Sequence, residues 1–250
     1  MCGIIGFLGN LNQKQVFNML ASNESRGGHA WGAAWWEGNK IMYFKEPGRF
    51  TASKFEIPPT KGLIAHTRWA TNGKPEINAN NHPHVGGGIV LVHNGVISNK
   101  HPNQKTECDS EAILKMIISY AHSNEQETVI AIRKTCEKIT GSFRIAVMNT
   151  MVPGKIWVAC DNDDPVYFGL GYGFTAFASE EKDLPKGATV MRAIGGKIYQ
   201  LEKLGSIRMT YFHLDNKPRY GFDWRDYSYQ TDWKRHTPQQ RTLPIQTKPA

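Results

Sequence analysis

The N-terminal stretch Cys2-Gly3-Ile4-Ile5-Gly6-Phe7-Leu8-Gly9 is a short apolar run with glycine at both edges. Residues 3–8 are therefore typical of a buried strand. Two aromatic-rich runs follow, at 30–36 and 40–45, and the tripeptide Glu37-Gly38-Asn39 between them favours a hairpin turn. The N-terminal part of the chain is thus predicted to form a sheet.

Hydrophobic periodicity orders the whole chain into strands, then helices, then strands again. A first helix is predicted over 13–22. A second begins at Asp109 or Ser110, either of which can cap it, and a third spans 125–139. Further strands are predicted at 63–67, 89–93, 143–149, 155–159, 174–178, 189–192 and 197–201. This order predicts a mixed, layered α/β or α+β domain in which helices cover a sheet.

Length and composition narrow the classes of protein. The 250 residues, 40% of them hydrophobic, suffice for one substantial core with or without an extension. No apolar stretch is long enough to span a membrane, and the N-terminus lacks the basic start of a signal peptide. We therefore expect a cytoplasmic protein that makes no membrane contact.

The C-terminal part of the chain differs in character from the rest. We predict a domain over 2–202 and a basic, aromatic extension over 203–250. Basic residues interleaved with Tyr, Phe and Trp could stack on nucleobases, and the formal charge of +8 points the same way. Docking of this tail on its own domain or on a partner is the favoured interpretation, and nucleic acid is the weaker one.

Cys2 is the first residue to suggest chemistry. We expect removal of Met1 to expose it as the new N-terminus. The cysteine then carries a thiol beside an α-amino group whose ordinary pKa is about 7.7–8.0. A nucleophile and its base are combined in one residue. Taken alone, however, a cysteine that leads into a strand is more often a small core residue.

Three polar segments at the ends of apolar strands give Cys2 its context. They are Ala65-His66-Thr67-Arg68-Trp69-Ala70-Thr71-Asn72-Gly73, Val92-His93-Asn94-Gly95-Val96-Ile97-Ser98-Asn99 and Thr106-Glu107-Cys108-Asp109-Ser110-Glu111. With Cys2-Gly3-Ile4-Ile5-Gly6 and Asn78-Ala79-Asn80-Asn81-His82-Pro83-His84, they resemble the class II glutamine amidotransferases, which are N-terminal nucleophile hydrolases. The likeness is greatest to the glutaminase domain of glucosamine-6-phosphate synthase and runs from residue 2 to about 202. It implies an α+β fold, a four-layer αββα sandwich, here with an extended C-terminal tail.

The resemblance also implies roles for individual residues. Cys2 would attack the side-chain amide carbon of glutamine and form a γ-glutamyl thioester. Asn94 and the backbone N–H of Gly95 would stabilise the oxyanion. Arg26 would support the nucleophile. The alternative for Asn94-Gly95 alone is a type I′ turn.

Substrate binding is assigned to a second group of residues. Arg68 would hold the α-carboxylate of glutamine through two parallel hydrogen bonds, and Asp109 would hold the α-ammonium group. Trp69, Thr71 and His82 would line the same pocket. The alternative for Asp109 is a simple helix cap.

Three positions carry residues that differ from those usual in the family. His29 stands where many relatives carry an acidic residue, Asn72 replaces a common histidine, and Cys108 occupies a position where threonine is usual.

His82, His84 and His93 raise the question of a metal. The sequence offers no fourth ligand at a fitting spacing and no cysteine nearby in the chain. We therefore expect neither a metal nor a cofactor.

Three functions follow from these residues. The first is a glutaminase that releases ammonia for an acceptor handled by a partner synthase protein, because the chain ends without sugar-phosphate domains. The second is a stand-alone amidohydrolase of other γ-glutamyl amides. The third is a catalytically silent binding module that uses the tail to engage a partner or nucleic acid.

Overall fold

The computed structural model describes residues 2–51, 59–202, 206–214 and the backbone of 241–243. Three α-helices lie in this part of the chain: α1 (Gln13–Asn23), α2 (Ser110–Ile118) and α3 (Glu125–Cys136). Its strands are β1 (Gly3–Gly9), β2 (Ala30–Glu37), β3 (Lys40–Pro47), β4 (Gly62–Arg68), β5 (His84–Gly86), β6 (Ile89–Ile97), β7 (Gly141–Asn149), β8 (Ile156–Cys160), β9 (Tyr167–Gly171), β10 (Phe174–Ala178), β11 (Thr189–Arg192), β12 (Lys197–Leu201), β13 (Ile207–Tyr211) and β14 (Arg241–Leu243).

These strands form two antiparallel sheets. The first has the order β11-β9-β10-β1-β4-β2-β3, and the second has the order β14-β13-β12-β8-β7-β6-β5. β1 therefore lies in the middle of the first sheet, between β10 and β4. β6 lies near one edge of the second sheet, between β5 and β7.

The apolar side chains of β1 alternate between two cores, as the period of a strand requires. Ile4 and Leu8 point into a core between the two sheets, where they meet Val90 and Val92 of β6. Ile5 and Phe7 point the other way, into a core that the residues of α1 complete. The α1 helix begins at Asn12, which forms a reciprocal capping box with Gln15.

A third core lies on the outer face of the second sheet. There Leu91 and Ile145 pack against Ile113 of α2 and Ile132 of α3. Together the three cores define four layers: α1, the first sheet, the second sheet, and the α2–α3 pair. The predicted α+β, four-layer αββα fold is confirmed.

The structure corrects the predicted extent of several elements. β6 continues through His93, Asn94 and Gly95 to Ile97, four residues beyond the predicted end. Asn94 pairs with Arg144 and Gly95 with Phe143, so the alternative of a type I′ turn at this site is wrong. The helix predicted over 125–139 ends at Cys136. β5 and β9 were not predicted.

The predicted C-terminal extension lies only partly within the described residues. Its segment Ile207–Tyr211 forms β13, which pairs with β12 and so extends the second sheet. β14 pairs with β13 in turn. The remaining residues of the predicted tail, 203–205, 215–240 and 244–250, lie outside the described part of the chain. The boundary at 202 and the tail's role stay predictions.

Candidate active site

The Cys2 side chain lies at the start of β1, against the loop that follows β4. Gly3 pairs with Thr67, which places Cys2 beside Arg68 and Trp69. The Trp69 N–H donates to the Cys2 Sγ at 3.2 Å, and the Cys2 thiol donates to the Trp69 carbonyl oxygen at 3.3 Å. Burial raises the pKa of the Cys2 thiol, and the Trp69 backbone hydrogen bond opposes that effect. Because burial favours the neutral thiol, attack by this sulfur requires a base.

Arg26 holds the main chain of the nucleophile in place. Its Nε donates to the carbonyl oxygen of Cys2 at 2.7 Å, and its Nη1 forms an ion pair with Glu180. The Arg26 side chain is buried. Arg26 thus contacts the main chain of Cys2, and its supporting role stays a prediction. Glu180 received no role in the sequence analysis.

His29 occupies the family's acidic position and serves as a hydrogen-bond acceptor there. Its Nδ1 accepts the N–H of Ala70 at 3.0 Å, and its ring stacks on Trp69 with the centroids 4.6 Å apart. A lone pair on Nδ1 requires the tautomer with the proton on Nε2, which follows from the hydrogen-bond network. His29 thus anchors the loop that contacts Cys2 by the kind of bond that a carboxylate would also make.

Asn94 is tied to the nucleophile strand through Ser179. The Asn94 Nδ2 donates to the Ser179 Oγ at 3.0 Å, and the same oxygen accepts the N–H of Ile4 at 2.9 Å. One hydroxyl therefore connects the second sheet with β1, two residues from Cys2. An amide carries two N–H groups, and this bond uses one. Ser179 is a positioning residue that was not predicted from the sequence.

Gly95 must be glycine because of its backbone conformation and its surroundings. Its φ is 151°, within the region that favours glycine. A Cβ at this position would lie 2.1 Å from the carbonyl oxygen of Ser142 on β7. Any side chain at this position would therefore clash with β7, and the close approach of the two strands requires glycine.

Arg68 is buried, and its guanidinium group is hydrogen-bonded to other residues of the protein. Nη1 donates to the Oδ1 of Asn81 at 2.8 Å, while Nη2 donates to the carbonyl oxygens of Gly73, at 2.9 Å, and Asn72. A carboxylate ligand would have to displace the two loop carbonyls. The loop also carries Trp69 and Thr71, both exposed.

Asp109 does not act as a helix cap. It stands at the N-cap position of α2, but its side chain makes no capping bond. Instead, Oδ2 accepts the N–H of Ile97 at 2.8 Å, which joins α2 to the end of β6. Within the described part of the chain, Oδ1 makes only a long contact, 3.8 Å, with the Sγ of Cys108. Asp109 therefore retains an acceptor oxygen for a ligand.

His82, predicted to line the substrate pocket, lies among other histidines. It is buried, and its ring centroid is 3.9 Å from that of His66 and 4.6 Å from that of His84. Its predicted contact with substrate stays a prediction.

An open cavity borders the loop after β4. It has a volume of about 540 Å³ and is lined by His29, Ala70, Gly73, Lys74, Pro75, Glu76 and Glu107. Cys2, Asn94 and Asp109 are not among the lining residues, so this cavity by itself does not define the site. It adjoins the site at Ala70, the residue after the one that contacts the Cys2 thiol.

None of the helices in the described part of the chain is long and apolar enough to cross a membrane. No family model matches the sequence. The chain is, however, similar to the glutamine–fructose-6-phosphate aminotransferase [isomerizing] of Bacillus subtilis (strain 168). The two are 34% identical over 194 residues, which cover 72% of this chain and 32% of that protein. The protein of the same name from Helicobacter pylori (strain J99) is 29% identical over 249 residues, covering 91% of this chain and 40% of the relative.

Solved structures share the fold. The glutamine phosphoribosylpyrophosphate (PRPP) amidotransferase from B. subtilis, complexed with ADP and GMP, superposes with a TM-score of 0.69 at 22% identity, over 86% of this chain and 50% of that one. A structure described as the allosteric regulatory enzyme of purine biosynthesis gives a TM-score of 0.67 at 20% identity, with the same two coverages. The chain spans about a third of the length of the curated aminotransferases it matches.

Proposed function

Because this chain is a homologue of the class II glutamine amidotransferases, we propose that it hydrolyses the side-chain amide of glutamine through Cys2. In this proposal, removal of Met1 exposes Cys2 as the N-terminus. The ammonia released passes to an acceptor bound by a partner synthase protein. The aligned region covers only 32% of the Bacillus relative, which supports binding of the acceptor outside that region.

The observation that carries the proposal is the position of the Cys2 thiol. The sulfur lies within hydrogen-bond distance of the Trp69 backbone, directly beside Arg68. The nucleophile and the residue assigned to the α-carboxylate are thus neighbours across paired strands, although 66 positions separate residues 2 and 68 in the sequence.

The chemistry begins with transfer of the thiol proton to the α-amino group of Cys2. The sulfur then attacks the amide carbon, and the carbonyl oxygen becomes an oxyanion. Collapse of this intermediate breaks the carbon–nitrogen bond, and the ammonium group formed on Cys2 returns its proton to the departing ammonia. Water then attacks the γ-glutamyl thioester, which releases glutamate and restores the thiol.

The oxyanion would receive two donors. One is the second N–H of Asn94, because the first already donates to Ser179. The other is the backbone N–H of Gly95. A preorganised donor of this kind is worth about 10²–10³ in rate, because it need not reorient as charge develops.

Recognition of glutamine would rely on opposite charges at two points. Asp109 offers Oδ1 to the α-ammonium group. Arg68 would exchange its bonds to Asn72 and Gly73 for the α-carboxylate. This exchange requires the loop that carries Trp69 and Thr71 to move when substrate binds. A free amino acid is thereby distinguished from a glutamine side chain within a protein.

Glutamate release from glutamine tests the proposal. Full-length protein should release glutamate, and Cys2→Ala should release none while its thermal unfolding stays unchanged. Cys136→Ser is the matched control, because Cys136 is a buried thiol on α3, and it should stay active.

A panel of γ-glutamyl conjugates assayed in parallel identifies the alternatives. If glutamine is the poorest substrate, the protein is an amidohydrolase of other γ-glutamyl amides. If no substrate yields glutamate even with candidate partners present, the chain is a silent binding module and the proposal is wrong.

A further inference from the structure

A cluster of potential metal ligands lies behind the candidate active site. His82, His84 and Cys108 each offer one ligand atom, and these atoms all lie within 4.8 Å of one another. The three side chains are 3%, 4% and 4% exposed. His82 and His84 stand at the start of β5, and Cys108 immediately precedes Asp109. The fold therefore supplies the nearby cysteine that the sequence alone did not offer these histidines.

The imidazoles in this cluster lack partners. Neither nitrogen of His82, nor the Nε2 of His84, has a hydrogen-bond partner in the described part of the chain. Buried polar atoms in native proteins almost always have partners, because an unpaired group loses its bonds to water without compensation. The unpaired nitrogens of these two rings are therefore available to coordinate a ligand.

We propose that His82, His84 and Cys108 form a binding site for Zn²⁺, with one nitrogen of each histidine and the Cys108 sulfur as ligands. Imidazole and thiolate are the donors that zinc prefers, and three protein ligands leave a fourth tetrahedral position open. Zinc bonds of about 2.0–2.1 Å to nitrogen and about 2.3 Å to sulfur put tetrahedral donors roughly 3.3–3.7 Å apart. From separations of at most 4.8 Å, the donor atoms therefore need to approach one another by at most about 1.5 Å.

Two charged side chains lie near the cluster. Lys45 adds a positive charge close to His84, and Glu111 adds a negative charge that offsets it. Loss of the thiol proton of Cys108 to solvent would then leave a dipositive ion facing one thiolate.

A bound zinc ion would link two elements of the candidate active site. It would join the start of β5 to the start of α2, directly behind the Asp109 carboxylate that bonds Ile97. His82 is also predicted to line the substrate pocket, but His84 and Cys108 are assigned no part in the reaction with Cys2, and zinc uptake is measured separately from glutamate release.

Zinc and cobalt uptake tests the site. The experiment uses the full chain carrying Cys2→Ala, so that the half-buried thiol cannot contribute. After treatment with a chelator and dialysis, this protein should bind about one equivalent of Zn²⁺. With Co²⁺ it should show thiolate-to-cobalt charge-transfer absorption. Adding Cys108→Thr, which installs the family's usual residue, should weaken zinc binding at least about 100-fold, since even residues that only hydrogen-bond to a metal ligand are worth about 10–100-fold.

A control variant and a spectroscopic measurement test whether the bound zinc lies at Cys108. Cys136→Ser in the same background removes another buried thiol and should keep zinc binding unchanged. X-ray absorption at the zinc edge should show both nitrogen and sulfur ligands, and it needs no variant beyond Cys2→Ala if Cys108→Thr fails to fold. Absence of uptake, binding that survives Cys108→Thr, or a zinc spectrum without sulfur would overturn the proposal. The histidine nitrogens would then be satisfied by buried water.

Discussion

Cys2 and Cys108 lie close to the same site but in opposite surroundings. We call the region of Cys2, Asn94 and Asp109 the front and the region of His82, His84 and Cys108 the back. At the front, the Cys2 thiol bonds the Trp69 backbone, Asn94 bonds Ser179 and Asp109 bonds the N–H of Ile97. Asn94 and Asp109 each keep a further donor or acceptor. At the back, the side chains are fully buried and the histidines have nitrogens without partners among the described residues.

Burial determines whether a region can leave a hydrogen-bonding group unpaired or needs a permanently bound ligand to pair it. An unused hydrogen-bonding group costs little where water reaches it, but about 1–3 kcal/mol where water does not. Asp109 at the front is only half-buried, so its spare oxygen can remain unpaired until a substrate binds. The unpaired histidine nitrogens at the back require a resident partner.

Asn94→Ala should have the largest effect on activity among substitutions at the front other than that of Cys2 itself. It removes one oxyanion donor, so kcat for glutamate release should fall by about 10²–10³, with a smaller change in KM. Steady-state kinetics with glutamine measures both constants. Asn99→Ala, on the loop after β6, serves as the control and should keep kcat. A kcat for Asn94→Ala within about threefold of the wild type would exclude the oxyanion role.

Arg68→Lys should act mainly on substrate binding. Lysine keeps the charge but cannot hold a carboxylate by two parallel bonds, so KM for glutamine should rise by about 10–100-fold. Thermal unfolding must be measured alongside, because the Arg68 guanidinium also bonds Asn81. An unchanged KM in a well-folded variant would remove Arg68 from the binding site.

Ser179→Ala should reduce activity about tenfold, the value of one lost hydrogen bond. The variant deprives Asn94 and the N–H of Ile4 of their shared acceptor, so the Asn94 amide loses its orientation. Stability should also fall by about 1–3 kcal/mol because a buried N–H is left unpaired. Urea unfolding and kcat together check this. Ser179→Thr keeps the hydroxyl and should recover much of the activity, which a purely steric role would not predict.

His29 offers a smaller and more selective test. His29→Asn retains a side-chain acceptor for the Ala70 N–H and should stay within about threefold of wild-type kcat/KM. His29→Ala should lose more, about 3–10-fold, because the anchor is worth roughly one hydrogen bond. If both variants behave alike, the stacking of His29 on Trp69, rather than the hydrogen bond, is what matters.

At the back, His84→Leu should have the smallest effect when metal is absent. The histidine Nε2 has no partner to lose among the described residues, so the free energy of unfolding in chelator should change by less than about 1 kcal/mol. Added zinc should stabilise the wild type but not the variant. A loss above about 2 kcal/mol in chelator would mean that His84 already has a partner, such as a buried water.

Much of the fold could be predicted because its elements carry local signals. The apolar run of residues 3–8 and the hairpin around Gly38 lie where predicted, since strand alternation and turn residues are encoded nearby in the chain. The end of β6 was missed because Asn94 and Gly95 look like a turn, and only pairing with β7 keeps them extended. β5 was missed because three residues carry too little pattern.

For the candidate site, the resemblance supplied roles but not the contacts between distant segments. Ser179 joins Ile4 and Asn94 across 175 and 85 positions, and no local pattern reports such a bond. The approach of Cys108 to His82 and His84 likewise depends on how α2 packs beside β5. These are tertiary contacts, which one sequence does not encode locally.

Intact-mass analysis of the protein, mixed with glutamine and quenched in acid, tests the nucleophile most directly. We expect a chain that begins at Cys2 and carries a γ-glutamyl group, mapped by fragmentation to the Cys2 sulfur. Active protein that still retains Met1, or an acyl group on any other residue, would contradict the assignment of Cys2 and its own α-amino group as nucleophile and base.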